Sequence, residues 1–74
     1  MKVLDYTVYL QKADEGGYIV SAPALPGCVT QGETREEALE MIRDAIAGYV
    51  ASLKKHGETV PTEQGEVEKI SVSV

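Results

Sequence analysis

Acidic side chains are the residues of this 74-residue sequence whose types could support catalysis. Several converging carboxylates can bind divalent cations, and such cations catalyse the hydrolysis of phosphodiesters. The set that the sequence offers is Asp5 with Glu36 or Glu40. Asp5, however, alternates with aliphatic residues and falls on the opposite face of its predicted strand. We therefore expect solvated carboxylates and predict no catalytic residue, no cofactor and no metal site. A divalent-metal nuclease is the alternative.

A thiol and an imidazole are the other reactive groups, at Cys28 and His56, and the chain has one of each. One cysteine excludes an intrachain disulfide, and one histidine alone makes no metal-ligand set. The two lie far apart in sequence. We predict that Cys28 is a small core residue and that His56 ends a helix, where the dipole favours it.

Glu36, Glu40 and Asp44 recur at four-residue spacing, which puts three like charges on one side of a helix. We call these three residues the acidic ridge. The ridge is either a solvated face or, together with Glu33, a surface that attracts a basic protein. The net charge of −5 and the scattered basic residues argue against nucleic acid as a direct partner.

One amphipathic helix is predicted from Thr34 to His56. Thr34 and Glu37 form a capping box at its start, and Gly57 suits the left-handed residue that ends it. Gly48, in its interior, suggests that another group packs closely there. The apolar residues that follow helical spacing are Ala38, Leu39, Ile42, Ala45, Ile46, Tyr49, Val50 and Leu53.

Segments of alternating apolar and polar residues predict four strands, and no second helix matches the first in quality. The predicted strands are residues 1–12, 18–22, 28–33 and 67–74. The fold class is therefore α+β, in the order β-β-β-α-β, with the helix on one face of a four-stranded sheet. We expect one domain over residues 1–74.

Two further surfaces could bind a partner. The loop from Pro23 to Cys28 holds Leu25 between Pro23 and Pro26, and we expect Leu25 to be exposed in part. Leu25 is then either an interaction anchor or part of a turn that shields the sheet edge. On the sheet face away from the helix, Tyr9, Ile19 and Val29 could form an apolar patch. We therefore expect a homodimer or higher homo-oligomer, formed through that face or through an edge strand.

The sequence resembles the HicB family of antitoxins. Residues 17–38 carry the likeness, with a P-x-L-P-G-C loop at 23–28, a T-Q-G-E-T segment at 30–34 and an E-E-A helix start at 36–38. The likeness continues through Ala45, Tyr49 and Val60-Pro61. It implies a truncated ribonuclease-H-like fold and a type II toxin–antitoxin function. In that function, the antitoxin binds a small basic HicA-like, mRNA-cleaving ribonuclease and masks the catalytic histidine of that toxin.

The sequence departs from the family pattern at three places. Ala24 replaces an acidic residue of many members, and Glu63 stands where a second proline often follows Pro61. Many members also add a C-terminal DNA-binding domain, whereas this sequence ends at Val74, so we do not expect promoter binding by it. With no apolar run of about 20 residues, we expect a cytoplasmic protein. The alternative function is a stand-alone homo-oligomeric binding module with a different partner.

Overall fold

The computed structural model describes residues 4–63 and 65–74. It contains three strands, β1 (Tyr9–Lys12), β2 (Tyr18–Ser21) and β3 (Val29–Gly32), followed by one helix, α1 (Arg35–Lys55). The strands form an antiparallel sheet in the order β1-β2-β3. The predicted α+β class, the order of the first three strands and the helix, and the single long helix are confirmed.

The β1–β2 connection is a tight turn that depends on two glycines. Gly16 and Gly17 have φ values of 98° and 79°, in the left-handed region where a Cβ atom is disfavoured. The Gly16 amide donates to the Ala13 carbonyl at 3.1 Å, and the Ala13 amide donates to the Gly17 carbonyl at 3.0 Å. This turn sets the β1–β2 register, in which Leu10 lies opposite Val20.

Two successive turns join β2 to β3. The Leu25 amide donates to the Ala22 carbonyl at 2.9 Å, and the Cys28 amide donates to the Leu25 carbonyl at 3.0 Å. Pro26 and Gly27 occupy the middle of the second turn, and the φ of 79° at Gly27 is that of a type II turn. The loop is therefore held by its own backbone hydrogen bonds.

The helix ends are satisfied much as the sequence predicts. The Thr34 hydroxyl accepts from the Glu37 amide at 3.1 Å. The Glu37 carboxylate accepts from the Glu33 amide at 2.9 Å, one residue before Thr34, whose amide is the donor in a capping box. At the other end, the Gly57 amide donates to Lys54 and the Glu58 amide to Leu53. These last two bonds form a Schellman motif, with Gly57 at a φ of 68°.

The core lies between the helix and the inner face of the sheet. Its buried side chains are Val20, Ala22, Leu25, Cys28, Ala38 and Ile42. The helix packs on β3 and β2, whereas no Cα atom of β1 comes within 8 Å of a helix Cα atom. The helix therefore covers one side of the sheet and leaves the β1 side less covered.

The structure differs from the predicted strands at both ends of the chain. β1 begins at Tyr9, because Pro23 ends β2 and leaves residues 4–8 with no strand to pair with. Residues 67–74 form no strand, so the predicted fourth strand is not formed within the described residues. Their side chains are exposed, and within the described residues they pair with no strand. The predicted start of the first strand, at residues 1–3, lies outside the described residues.

Candidate partner-binding surfaces

The acidic ridge lies on the outermost side of α1. Glu36, Glu40 and Asp44 are exposed, and successive members are about 6 Å apart along the helix axis. Ala38 and Ile42, which are buried, are each two residues from a ridge residue, and two residues correspond to a rotation of about 200°. The ridge therefore points directly away from the core.

Glu33 precedes the helix and is held next to the ridge. Its backbone amide donates to the Glu37 carboxylate, which fixes the chain direction at the helix start, and its own side chain is exposed. Glu33, Glu36 and Glu37 all lie near the positive end of the helix dipole, which lowers the energy of assembling these negative charges there. Asp44 lies more than two turns further on, where the dipole gives no such compensation.

The predicted exposure of Leu25 is wrong. Leu25 is 1% exposed and is one of the most fully buried side chains of the protein, because the double turn folds it inward under the helix. Pro23 and Pro26 are exposed. The Tyr49 hydroxyl donates to the Pro26 carbonyl at 2.9 Å, so the loop is also attached to the helix. The loop thus offers two prolines rather than an apolar anchor.

Cys28 and His56 lie where they were predicted. Burial raises the pKa of the Cys28 thiol above its ordinary value of 9.0, so at neutral pH it is protonated and weakly nucleophilic. The His56 ring atom Nδ1 lies 2.8 Å from the Ser52 carbonyl at the helix C terminus.

Across residues 4–63 and 65–74, no three His, Cys, Asp or Glu side chains are grouped to hold a metal ion. No helix in these ranges is long and apolar enough to cross a membrane.

The outer face of the sheet is apolar in part. Tyr9, Ser21 and Val29 form one cross-strand row, and Ile19 lies in the next row between two glutamines. Tyr9 is 61% exposed and Val29 is 57% exposed. The predicted exposed patch of Tyr9, Ile19 and Val29 is therefore present on the face opposite the helix.

Sequence reasoning did not find an apolar groove between the helix and residues 4–8, which precede β1. The groove has a volume of about 290 Å³ and is lined by Leu4, Tyr6, Val8, Leu39, Ile42, Arg43 and Ile46. Two features of the sequence indicate such a groove. The apolar side of the helix is wide, and the alternating apolar residues of the first predicted strand begin at Leu4, before the part of that strand that β2 can pair with. The groove is the space between these two surfaces.

The last described segment, residues 67–74, also exposes apolar side chains. Val67, Ile70 and Val72 are 75%, 79% and 73% exposed. The chain leading to it is held against the N-terminal segment, because the Tyr6 hydroxyl donates to the Pro61 carbonyl and the Thr7 amide and hydroxyl donate to the Glu63 carboxylate. Glu63, a departure from the family pattern, thus joins residues that are 56 positions apart in sequence.

The sequence is similar to known proteins over most of its length. A family model described as the HicB-like antitoxin of bacterial toxin–antitoxin systems matches residues 6–73. A UPF0150 protein of Thermoplasma acidophilum is 51% identical over 63 residues, which cover 85% of this chain and 91% of that protein.

Two relatives are named antitoxins. Antitoxin HicB 1 of Photorhabdus laumondii is 44% identical over 82% of this chain, and antitoxin HicB of Escherichia coli is 51% identical over 76% of it. The matched segments cover 39% and 41% of those two proteins, so this chain corresponds to less than half of each. Since the family model matches nearly the whole chain, the protein belongs to the HicB-like antitoxin family of toxin–antitoxin systems.

Proposed function

We propose that this protein is the antitoxin of a type II toxin–antitoxin system and that it occludes a HicA-like, mRNA-cleaving ribonuclease. The observation that carries the proposal is the family match over residues 6–73. Masking an active site requires only a rigid surface that fits it, and a sheet-and-helix unit with capped ends is such a surface. The proposed role is non-enzymatic, and its place is the cytoplasm, where a toxin of this kind meets mRNA.

The acidic ridge and Glu33 are the proposed toxin-facing surface. A ribonuclease that binds RNA carries basic residues around its active site, because affinity for phosphates comes from Lys and Arg. Four exposed carboxylates at the start and on the outer side of α1 complement such a surface and steer its approach. Pro23 and Pro26, which are exposed, are proposed as further rigid contacts with the toxin. Leu25 is excluded because it is buried.

Charge reversal tests this surface. Replacing Glu36, Glu40 and Asp44 with Lys should slow association with the purified toxin on the order of tenfold or more at low salt, because the steering field is lost. Stopped-flow or surface-plasmon measurements give the on-rate, and circular dichroism checks that the variant is folded. The dissociation rate should change less, since long-range steering acts on the approach of the two proteins.

The matched control reverses three other exposed acidic residues, Asp14, Glu15 and Glu58, and so changes the net charge by the same amount. If only net charge matters, both variants slow association equally, and the ridge has no special role. A ridge variant with the on-rate of the unmodified protein contradicts the proposed surface. Failure of the unmodified protein to bind or neutralise a HicA-like toxin contradicts the antitoxin function.

We also propose that the chain self-associates, as the exposed apolar side chains of the sheet face and of residues 67–74 support. The same observation favours the second candidate function, a homo-oligomeric binding module with another partner. The two functions separate on toxin capture, which only the antitoxin should show. A metal nuclease would instead degrade RNA with added magnesium or manganese and lose that activity on Asp5→Asn.

A further inference from the structure

We propose that residues 67–74 of one copy occupy the apolar groove between residues 4–8 and the helix of a second copy as an added strand, and that two chains exchange these segments in a two-fold dimer. We call residues 67–74 the exchange segment. The inference rests on the self-association proposed above and specifies its interface. It does not depend on toxin binding.

The exchange segment has the pattern of a strand that is buried on one side. Ile70, Val72 and Val74 alternate with Lys69, Ser71 and Ser73, and the side chains of both sets are exposed. Alternation of this kind is typical of a strand with one face against a core, and an isolated strand is not stable in water. The segment therefore requires a sheet edge and an apolar surface that the described chain does not supply to it.

The groove between residues 4–8 and the helix offers both features. Leu4, Tyr6 and Val8 alternate with exposed residues, so residues 4–8 are extended in the direction of β1 but pair with no strand of the described chain. Leu39 and Ile46 of the helix form the opposite wall and are only half-buried. A strand added at this edge would place alternate side chains beneath the helix, in the manner of β-augmentation.

Length and charge agree with this occupant. Eight residues of strand extend about 26 Å, which is enough to run along residues 4–8 and continue past the free edge of β1. Arg43 lies at the side of the groove, and Glu68 lies on the same side of the exchange segment as Ile70. An added strand can therefore bring an opposite charge to Arg43 while its apolar residues enter the groove.

The position of the segment within its own chain favours a second copy as the acceptor. Residues 61–63 are held against residues 6–7, Val67 lines a pocket with Thr7, Pro23 and Ala24, and the side chains from residue 68 onward are exposed. The radius of gyration is 14.2 Å, against about 11 Å for a compact chain of this length, and the long dimension is 46 Å. Because each chain carries both the segment and the groove, reciprocal exchange closes on itself and satisfies both surfaces at once.

The first test compares two double variants of the exchange segment in the full chain. Ile70→Asp with Val72→Asp should convert a dimer, of twice the 8.0 kDa chain mass, to a monomer at micromolar concentration. The matched control, Ser71→Asp with Ser73→Asp, adds the same charge on the other side of the segment and should remain dimeric. Light scattering after size-exclusion chromatography gives the mass in the absence of toxin.

The second test is a charge exchange between the groove and the segment. Arg43→Glu and Glu68→Arg should each weaken the dimer about tenfold, because each puts like charges together, and the double variant should recover most of the loss. Analytical ultracentrifugation measures the dissociation constants. Both residues are exposed, so none of these variants is expected to unfold the protein.

Three results would overturn the inference. One is an unmodified protein that is monomeric, which would mean that the segment stays free, folds back on its own chain or waits for another protein. Another is a dimer that survives Ile70→Asp with Val72→Asp. The third is a dimer lost on Val29→Asp, which would place the interface on the outer sheet face. A dimer that fails to bind toxin would leave this inference standing and contradict the antitoxin function alone.

Discussion

Gly32, the last residue of β3, is where the backbones of the sheet and the helix come closest. A Cβ atom built there would lie 2.6 Å from the Ala38 amide nitrogen and 2.9 Å from the Ala38 Cα atom. Both are backbone atoms, which cannot move without shifting the first turn of α1. The absence of a side chain at Gly32 thus allows Ala38, a fully buried residue, to reach the core.

Gly32→Ala should therefore lower the free energy of unfolding by about 1–3 kcal/mol, the usual effect of overpacking. Gly48→Ala is the matched control, because no described atom lies within 4 Å of its added Cβ. The prediction of close packing at Gly48 is wrong, and Gly48→Ala should stabilise the helix by about 0.5–1 kcal/mol. Urea titrations measure both changes. Equal effects at the two positions would contradict the close approach at Gly32.

Cys28 makes stability depend on pH in the alkaline range. Its folded-state pKa is raised by burial, so the folded protein keeps the thiol proton at a pH where the unfolded chain loses it. The resulting stabilisation is complete below the ordinary pKa of 9.0 and is lost as pH rises through the folded-state value. The stability advantage of the unmodified protein over Cys28→Ala should therefore shrink above about pH 9.

Urea midpoints of the two proteins, measured in parallel from neutral pH to pH 10, test this prediction. The comparison removes the contributions of Tyr and Lys, which are the same in both chains. A difference between the midpoints that is constant with pH would show that burial does not affect the thiol.

At the scale of elements, the helix start depends on one hydroxyl. Thr34→Ala removes the acceptor for the Glu37 amide and should cost about 1 kcal/mol of stability. Thr34→Ser keeps the hydroxyl and should remain within a few tenths of a kcal/mol of the unmodified protein. Urea titration of the three proteins gives the comparison. Similar losses for Ala and Ser would assign the effect to the Thr34 methyl group instead.

Elements defined by local chemistry were predictable from the sequence. The caps of α1, the glycine turn and the Pro26-Gly27 turn each depend on neighbouring residues, and the structure has all of them. Leu25 was mispredicted because its burial depends on how a loop between two prolines folds back under a helix. The position of this loop depends on contacts between distant parts of the chain. Neither the alternation of apolar residues nor turn propensity predicts such contacts.

At the scale of the whole molecule, the α+β class followed from one amphipathic helix and several short alternating segments. The number of paired strands did not follow, because alternation shows that a segment can be a strand but not which edge it pairs with. Residues 67–74 have the pattern and no partner within the described chain. The acidic ridge was placed correctly on the solvent side, while its role in binding a toxin stays a prediction.

The core side chains all come from residues 20–42, a stretch less than a third of the chain in length. Because these side chains all lie within residues 20–42, every contact among them joins β2, β3, the loop between these strands or the first turns of α1 over a short stretch of chain. Proteins dominated by such short-range contacts fold fast. We therefore expect residues 20–42 to become structured first during folding, with residues 4–12 and the chain beyond α1 packing onto them afterwards.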